Sequence, residues 1–308
     1  MSRNLPPLAL EVDDSLRALD YPGLVRIDLD DWQERIRFGC TERVWRAFSE
    51  HLEPLLPATH GVALTGSGDF HHLSALLIAR ARRHAGLRVL VCDNHPDNMR
   101  FPFGIHCGSW VARVARMPHV ARVDVAGICS PDVAWPHAWE NHLGLLSRGK
   151  VRYWTIGAKI GWTRPLGLRQ AVRDFDDAAS LVSALLEEIS RERGPLYLSI
   201  DKDVLHESVA RTNWDQGRME LDSLLRIIDA AAPRIVGGDI TGEVSAFRYR
   251  TRWKRWLSAL DGQPRIAPDE LPRWQRRQNE LDAALLDAFQ GKCRPMGANR
   301  LAEPISKV

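Results

Sequence analysis

A chain of 308 residues with ordinary apolar and charged fractions can bury a large core, and a net charge of +3 is too small to imply a nucleic-acid partner. No apolar run reaches membrane-spanning length, and the opening MSRNLPPLALEVDD lacks the basic-then-apolar order of a secretory signal. The five cysteines (Cys40, Cys92, Cys107, Cys129, Cys293) form no CxxC pair and no disulfide-like spacing, which suits a reducing cytoplasm.

Residues 1–24, rich in proline, acidic residues and leucine, read as a surface-hugging extension. Residues 24–29 predict a short strand, and 41–55 a helix, with apolar residues at helical spacing and Pro57 beyond its end. GVALT (61–65) reads as a short buried strand, followed by a glycine turn and a helical period over 71–84. A strand over 87–92 leads into a loop at 98–107 and a helix over 109–116. Beyond it come a strand at 120–125, a helix at 135–146 and a strand at 151–156. An amphipathic helix over 175–192 precedes a strand at 196–200, then a helix at 221–231 and a strand at 233–240. Helices are expected over 247–260 and 274–289, so residues 246–308 form C-terminal helices and a tail. Strands alternating with helices, with no repeat and no clear linker, argue for one α/β domain spanning 1–308 around a parallel sheet covered on both faces. The runs RYRTRWKRW (248–256) and RWQRR (273–277) have the spacing of a solvated basic helix face with tryptophan packed inward.

Chemistry-bearing residues gather where these strands end. Asp69, His71 and His72 follow GVALT; Asp93, His95 and Asp97 follow LRVLVC; Asp201 and Asp203 follow LYLSI; Glu243 follows RIVGGDI. In open parallel sheets, sites form beyond the carboxyl ends of the strands. In extended backbone, alternate residues share a side, so Asp93, His95 and Asp97 face together, and Asp201 and Asp203 do so with Lys202 pointing away. Four carboxylates and two histidines in one cleft would repel unless cations or protons neutralise them. Two divalent metals would cancel the charge of Asp93, Asp97, Asp201 and Asp203, and an oxygen-and-imidazole set suits manganese better than a structural zinc.

With these residues in place, the chain resembles the ureohydrolase family, which includes arginase, agmatinase and formiminoglutamase and shares its fold with histone deacetylases. Its GGDHS, DAHxD and SxDxDxxDP motifs are similar to GSGDFHH (66–72), DNHPD (93–97) and SIDKDVL (199–205), in the family's order, and the likeness spans residues 60–245. The resemblance implies a three-layer α/β/α fold with a mostly parallel sheet, holding two metal ions, usually manganese. It implies that Asp93 and Asp201 bridge the metals, that His71 and Asp97 complete one site, and that His95 and Asp203 complete the other. GSGDFHH carries one residue more than GGDHS, so His72 stands as the alternative to His71. His106, in IHCGS, resembles the family's proton-shuttle histidine, and Glu243 resembles the glutamate that holds a guanidinium. Relatives are often oligomeric, so a homo-oligomer is what the likeness suggests.

The departures bear on substrate. His206-Glu207 replaces the family's closing Asp-Pro, Met99 stands where an asparagine is expected, with Asn98 one place early, and 212–221 replaces the family's glycine-proline loop. The expectation is a cytoplasmic, dinuclear metal-dependent hydrolase of a carbon–nitrogen bond in a guanidino, amidine or related small molecule, itself cationic. Asp97 accepts a hydrogen bond from the nucleophile, His106 carries a proton, Glu243 orients the substrate, and Asp69 and Asn94 orient ligands. The competing readings are a zinc-dependent amide deacetylase on the same fold and a non-catalytic, metal-stabilised binding protein. Cys107 next to His106 is a poor nucleophile candidate, because sequence neighbours rarely face each other.

Overall fold

The computed structural model describes residues 5–135, 137–255 and 266–292. Its strands are β1 (Leu8–Glu11), β2 (Val25–Asp28), β3 (Gly39–Thr41), β4 (Ala63–Leu64), β5 (Leu87–Cys92), β6 (Gly104–His106), β7 (Val120–Ile128), β8 (Val151–Ile156), β9 (Val172–Phe175), β10 (Leu196–Asp201) and β11 (Ile235–Thr241). Nine of them pair side by side, all parallel, in the order β2-β1-β4-β11-β10-β5-β7-β8-β9, while β3 and β6 form a separate antiparallel pair.

The helices are α1 (Gln33–Ile36), α2 (Glu42–Leu52), α3 (Ser74–Arg80), α4 (Trp110–Val114), α5 (Leu143–Ser147), α6 (Ala178–Arg191), α7 (Leu221–Ala231) and α8 (Leu271–Phe289). They cover both faces of the sheet, and β5 shows how. Val89 and Val91 join the core that contains Trp45 and Phe48 of α2, Ile78 of α3 and Val114 of α4. Leu90 and Cys92 join the core that contains Leu185 of α6, Ile228 of α7 and Leu285 of α8. A period of two through one buried strand thus feeds two cores, which is the condition for a three-layer α/β/α fold.

Most predicted strands and helices form with ends shifted by a few residues, and four differ in kind. Residues 5–24 are no surface extension. β1 lies second from the sheet edge between β2 and β4, with Leu8, Ala9 and Leu10 sealed from solvent. The helix expected over 71–84 opens with a tight 3-10 segment (Gly68–Leu73), capped by Ser67, before α3 begins. The helix expected from 175 begins at Ala178, where Asp177 accepts from Ser180 N–H at 2.8 Å; Phe175 instead ends edge strand β9. The stretch expected to be helical over 135–146 divides into a short 3-10 turn (His137–Glu140) and α5.

Of the helix expected over 247–260, residues 247–251 are not helical and 256–260 lie outside the described residues, as does the tail from 293. The Glu34 carboxylate accepts from the backbone N–H groups of Arg250 and Thr251 and from the Thr251 hydroxyl, which fixes that turn. Lys254 is buried and donates to the carbonyls of Glu34, Arg35 and Arg37, while Trp253 is exposed, so at these two positions the basic run packs the reverse of the expectation. Among the described residues, no helix is long and apolar enough to cross a membrane.

Candidate metal centre

The sheet order brings the motif-bearing strand ends together. β5 and β10 are direct neighbours near the middle, and β11 and β4 follow β10 on the other side. Beyond Cys92, Asp93 N–H still donates to Ala126 O at 3.0 Å, so the first acid of DNHPD leaves the sheet in register with β7. Its Oδ1 then accepts from His95 N–H at 2.6 Å, which closes a turn. Asp97 sits at φ +45°, an uncommon backbone for a non-glycine residue, and Trp110 Nε1–H donates to its Oδ2 at 2.6 Å. The bend at Asp97 is therefore held from α4.

At the end of β10, Asp201 accepts from Asp203 N–H at 3.0 Å, and Asp203 accepts from Asn94 N–H at 3.0 Å, which ties the two acidic segments together. Gly242, at φ +93°, passes so near that a Cβ there would collide with Asp201 Oδ1 and Lys202 N.

All six expected ligands converge. His71 Nδ1 lies 3.2 Å from Asp93 Oδ2, 3.1 Å from Asp97 Oδ2 and 3.3 Å from Asp201 Oδ2. His95 Nδ1 lies 2.9 Å from Asp203 Oδ2 and 3.6 Å from Asp93 Oδ1. Two clusters result, each with donor atoms within 4.8 Å of one another: His71, Asp93 and Asp97, and Asp93, His95 and Asp203. Asp93 is common to both. His72, the alternative to His71, joins neither; it is buried with its ring 5.6 Å from Trp45.

The far nitrogens of both histidines are also held. His71 Nε2 meets Ser199 Oγ at 3.0 Å, and Ser199 donates its own proton to Asp239 at 2.6 Å. Ser199 must then accept from His71 Nε2–H, which turns Nδ1 toward the acids. His95 Nε2 meets Asp215 Oδ1 at 2.7 Å, and Asn94 Nδ2 donates to Asp215 Oδ2 at 3.0 Å. Asn94 thus braces Asp203 and Asp215, whereas Asp69 pairs with Arg37 at 2.8 Å. The contacts through Asp215, Ser199 and Asp239 have no local signature, since Asp215 stands 120 residues from the histidine it touches.

Burial and mutual charge shift the proton affinities within this cluster in opposite directions. Burial, then the charge of Asp93, pushes Asp97 and Asp203 each up to about 7. Burial, then Asp203, raises Asp201 well above the usual carboxylate range as well. Asp93 moves the other way: burial opposes its ionisation, but hydrogen bonds from His71 and His95 hold it well below the usual carboxylate range. Burial opposes charging of both imidazoles, yet the surrounding carboxylates raise them well above their ordinary value. Asp93 Oδ2 is buried and faces His71 Nδ1 at 3.2 Å. Carboxylate and imidazole donors with no thiolate, sharing one central acid, fit a pair of hard or borderline divalent cations.

Two expected catalytic residues are not delivered to this centre. Glu243 is buried in an ion pair with Lys202, which also binds Asp282 at 2.6 Å, and Glu243 does not line the cavity. Burial, then Asp282, drives the Glu243 carboxyl well above the usual range despite the lysine. It is no free anion for a guanidinium. His106 stands outside the lining: its Nδ1 accepts from Gly108 N–H at 2.9 Å, its ring packs at 4.6 Å from Phe101, and burial lowers it to about 4. Asn98 turns away as well, donating to Tyr153 OH at 2.7 Å. The cavity over the cluster is small, about 40 Å³, and its wall adds Met99, Cys107, Asp132 and Trp214.

No family model matches the chain. An uncharacterized protein of Thermotoga maritima is 28% identical over 204 residues, which cover 66% of this chain and 65% of that protein, just under two thirds of its length. Solved structures of similar fold include proclavaminate amidino hydrolase from Streptomyces clavuligerus (TM-score 0.55, 16% identity, 94% of this chain and 93% of that one). Formimidoylglutamase from Bacillus subtilis gives TM-score 0.54 at 15% identity, over 93% of this chain and 86% of that one. A hypothetical agmatinase from Burkholderia thailandensis gives 0.52 at 15% identity, over 94% and 87%.

Proposed function

We propose that this chain, which has the fold of the ureohydrolases, is a metal-dependent hydrolase of a carbon–nitrogen bond in a small guanidino, amidino or related molecule. It works with two divalent cations, manganese first among the candidates. The observation that carries this is the convergence of His71, Asp93, His95, Asp97 and Asp203 into two donor groups that share Asp93, with Asp201 3.3 Å from His71. The names of the similar structures, an amidino hydrolase and a formimidoylglutamase among them, support the same reaction class.

His71 and Asp97 would hold one cation, His95 and Asp203 the other, with Asp93 between them and Asp201 beside His71. When bound, such a pair supplies an acidified water nucleophile and offsets the carboxylate charge. The chain's own residues do the rest. Ser199 and Asp215 fix the histidine rings, so both Nδ1 atoms face inward. Asp97, steadied by Trp110, offers a carboxylate that accepts a hydrogen bond from the attacking water. Met99, Cys107 and Trp214 form part of the cavity wall beside these donors.

The test is metal analysis of the purified protein together with ammonia- and urea-release assays across a guanidino and amidine panel. Two metals per chain and turnover of at least one compound are expected, with turnover abolished in Asp201→Ala and His95→Ala. One metal or none at full loading would overturn the dinuclear reading. Two metals without turnover would leave a metal-stabilised binding protein.

A further inference from the structure

Resting on that reading of the cavity as the reaction site, we propose that Asp132 receives the cationic group of the substrate, the task that its sequence position assigned to Glu243. Asp132 lies in the SPD turn just after β7, the strand next to β5, so it too stands at the carboxyl end of the sheet. It lines the cavity with the six metal-centre residues, and Glu243 does not.

The partners on each side decide between the two acids. Glu243 is committed to Lys202 in the interior. Asp93, Asp97, Asp201 and Asp203 are committed to the histidines and to one another. The Asp132 carboxylate has no ion pair and no hydrogen bond among the described residues; the turn uses only its backbone. Its N–H donates to Ser130 Oγ, and its carbonyl accepts from Asn141 Nδ2 at 3.0 Å. Asn141 is itself buried and pairs with Met99 in an isolated bridge. The backbone of Asp132 is therefore fixed to the cavity wall while its side chain remains free.

A planar cation such as guanidinium or amidinium offers only donors, and an ionised carboxylate offers only acceptors. With the metal-centre acids turned to the cations, Asp132 is the acidic residue of the cavity wall that remains to face such a group. A cavity of about 40 Å³ admits only a few atoms, so the group beside Asp132 is the reacting head of the substrate or one directly joined to it. The substrate class is thus a small molecule whose reacting end is itself cationic.

Calorimetric titration of the manganese-supplemented protein with methylguanidinium, and with its neutral relative N-methylurea, tests this. Wild type should prefer methylguanidinium, Asp132→Asn should weaken it at least about tenfold with little effect on N-methylurea, and Glu243→Gln should leave both unchanged. Methylguanidinium affinity that survives in Asp132→Asn, is lost in Glu243→Gln instead, or is absent from wild type at millimolar concentration overturns the assignment. Metal content measured on the same samples keeps the readings apart. Fewer than two metals per chain defeats the dinuclear centre, whereas two metals with an indifferent Asp132→Asn defeats only the role of Asp132.

Discussion

His95 reaches inward with Nδ1 and outward with Nε2, and the outward contact is the more informative for mutation. Asp215 Oδ1 lies 2.7 Å from Nε2, and Asn94 braces the same carboxylate. A carboxylate on the far nitrogen fixes ring and tautomer and makes the near nitrogen a better ligand, an effect that mutation reads as about 10–100-fold in metal affinity. Asp215→Asn should therefore weaken one of two manganese sites by that factor and leave the other, which centres on His71, unaltered. Manganese titration followed by electron paramagnetic resonance distinguishes the sites; two unchanged affinities would remove Asp215 from the centre. The inward donors were legible because Asp93, His95, Asp97, Asp201 and Asp203 all follow predicted strands, and they do lie together there, brought in by a turn at Asp93, the positive φ of Asp97 and a 3-10 turn from Lys202 rather than by extended alternation. Asp215, Ser199 and Asp239 were not legible, because what gives them meaning is a neighbour from a distant segment. The role of Glu243 came from the motif resemblance alone, which says nothing of its partners. Lys202 does point away from Asp201 and Asp203, and the group it meets on that far side is Glu243.

At the level of elements, that meeting joins α8 to the end of the sheet. Asp282 of α8 binds Lys202, and Gln278, one turn earlier, donates to Gly242 O at 3.1 Å. Lys202 is sealed from solvent, and burial would lower its affinity for a proton were Asp282 and Glu243 not raising it. Removing the cation alone is costly, because it strands two acids. Lys202→Met should destabilise the protein by about 3–5 kcal/mol. Glu243→Gln should cost much less, about 1 kcal/mol, since burial already drives that carboxyl toward its neutral form. Urea unfolding of the two variants decides; equal losses would mean that the lysine does not balance these acids. Among the elements, β1 escaped the sequence reading because Pro6 and Pro7 precede it and acidic residues follow, which resembles a loop, although LALE fits between β2 and β4. The edge strand β9 escaped for a different reason. VRDF exposes Arg173 and Asp174 and runs almost directly into α6, so its last residue, Phe175, was counted with the helix.

For the whole molecule, the sheet order sets both the acidic cluster and its dependence on pH. Placing β5 beside β10, with β11 and β4 following, forces four acids and two imidazoles into one buried volume. Without metal they coexist only by keeping protons. Asp97 and Asp203 are raised to about 7 and Asp201 is raised well above an ordinary carboxyl value of 3.8, and both histidines lie above 6.5. A group whose affinity for protons is higher in the folded state stabilises it fully below the unfolded value and loses that contribution as pH rises through the folded one. The metal-free protein should therefore lose stability steadily from about pH 4 through pH 7 and above. Asp93, whose value is depressed, acts in the opposite sense, and only in acid. Divalent cations replace those protons and bind the deprotonated donors, so their stabilisation grows as protons leave. The melting temperature with saturating manganese minus that in chelator should thus widen between pH 5 and pH 8, chiefly because the chelated form falls. Differential scanning calorimetry at matched ionic strength measures it. A gap that stays constant, or narrows with rising pH, would show that manganese is not displacing protons from this cluster, and the centre assigned here would not be where it binds.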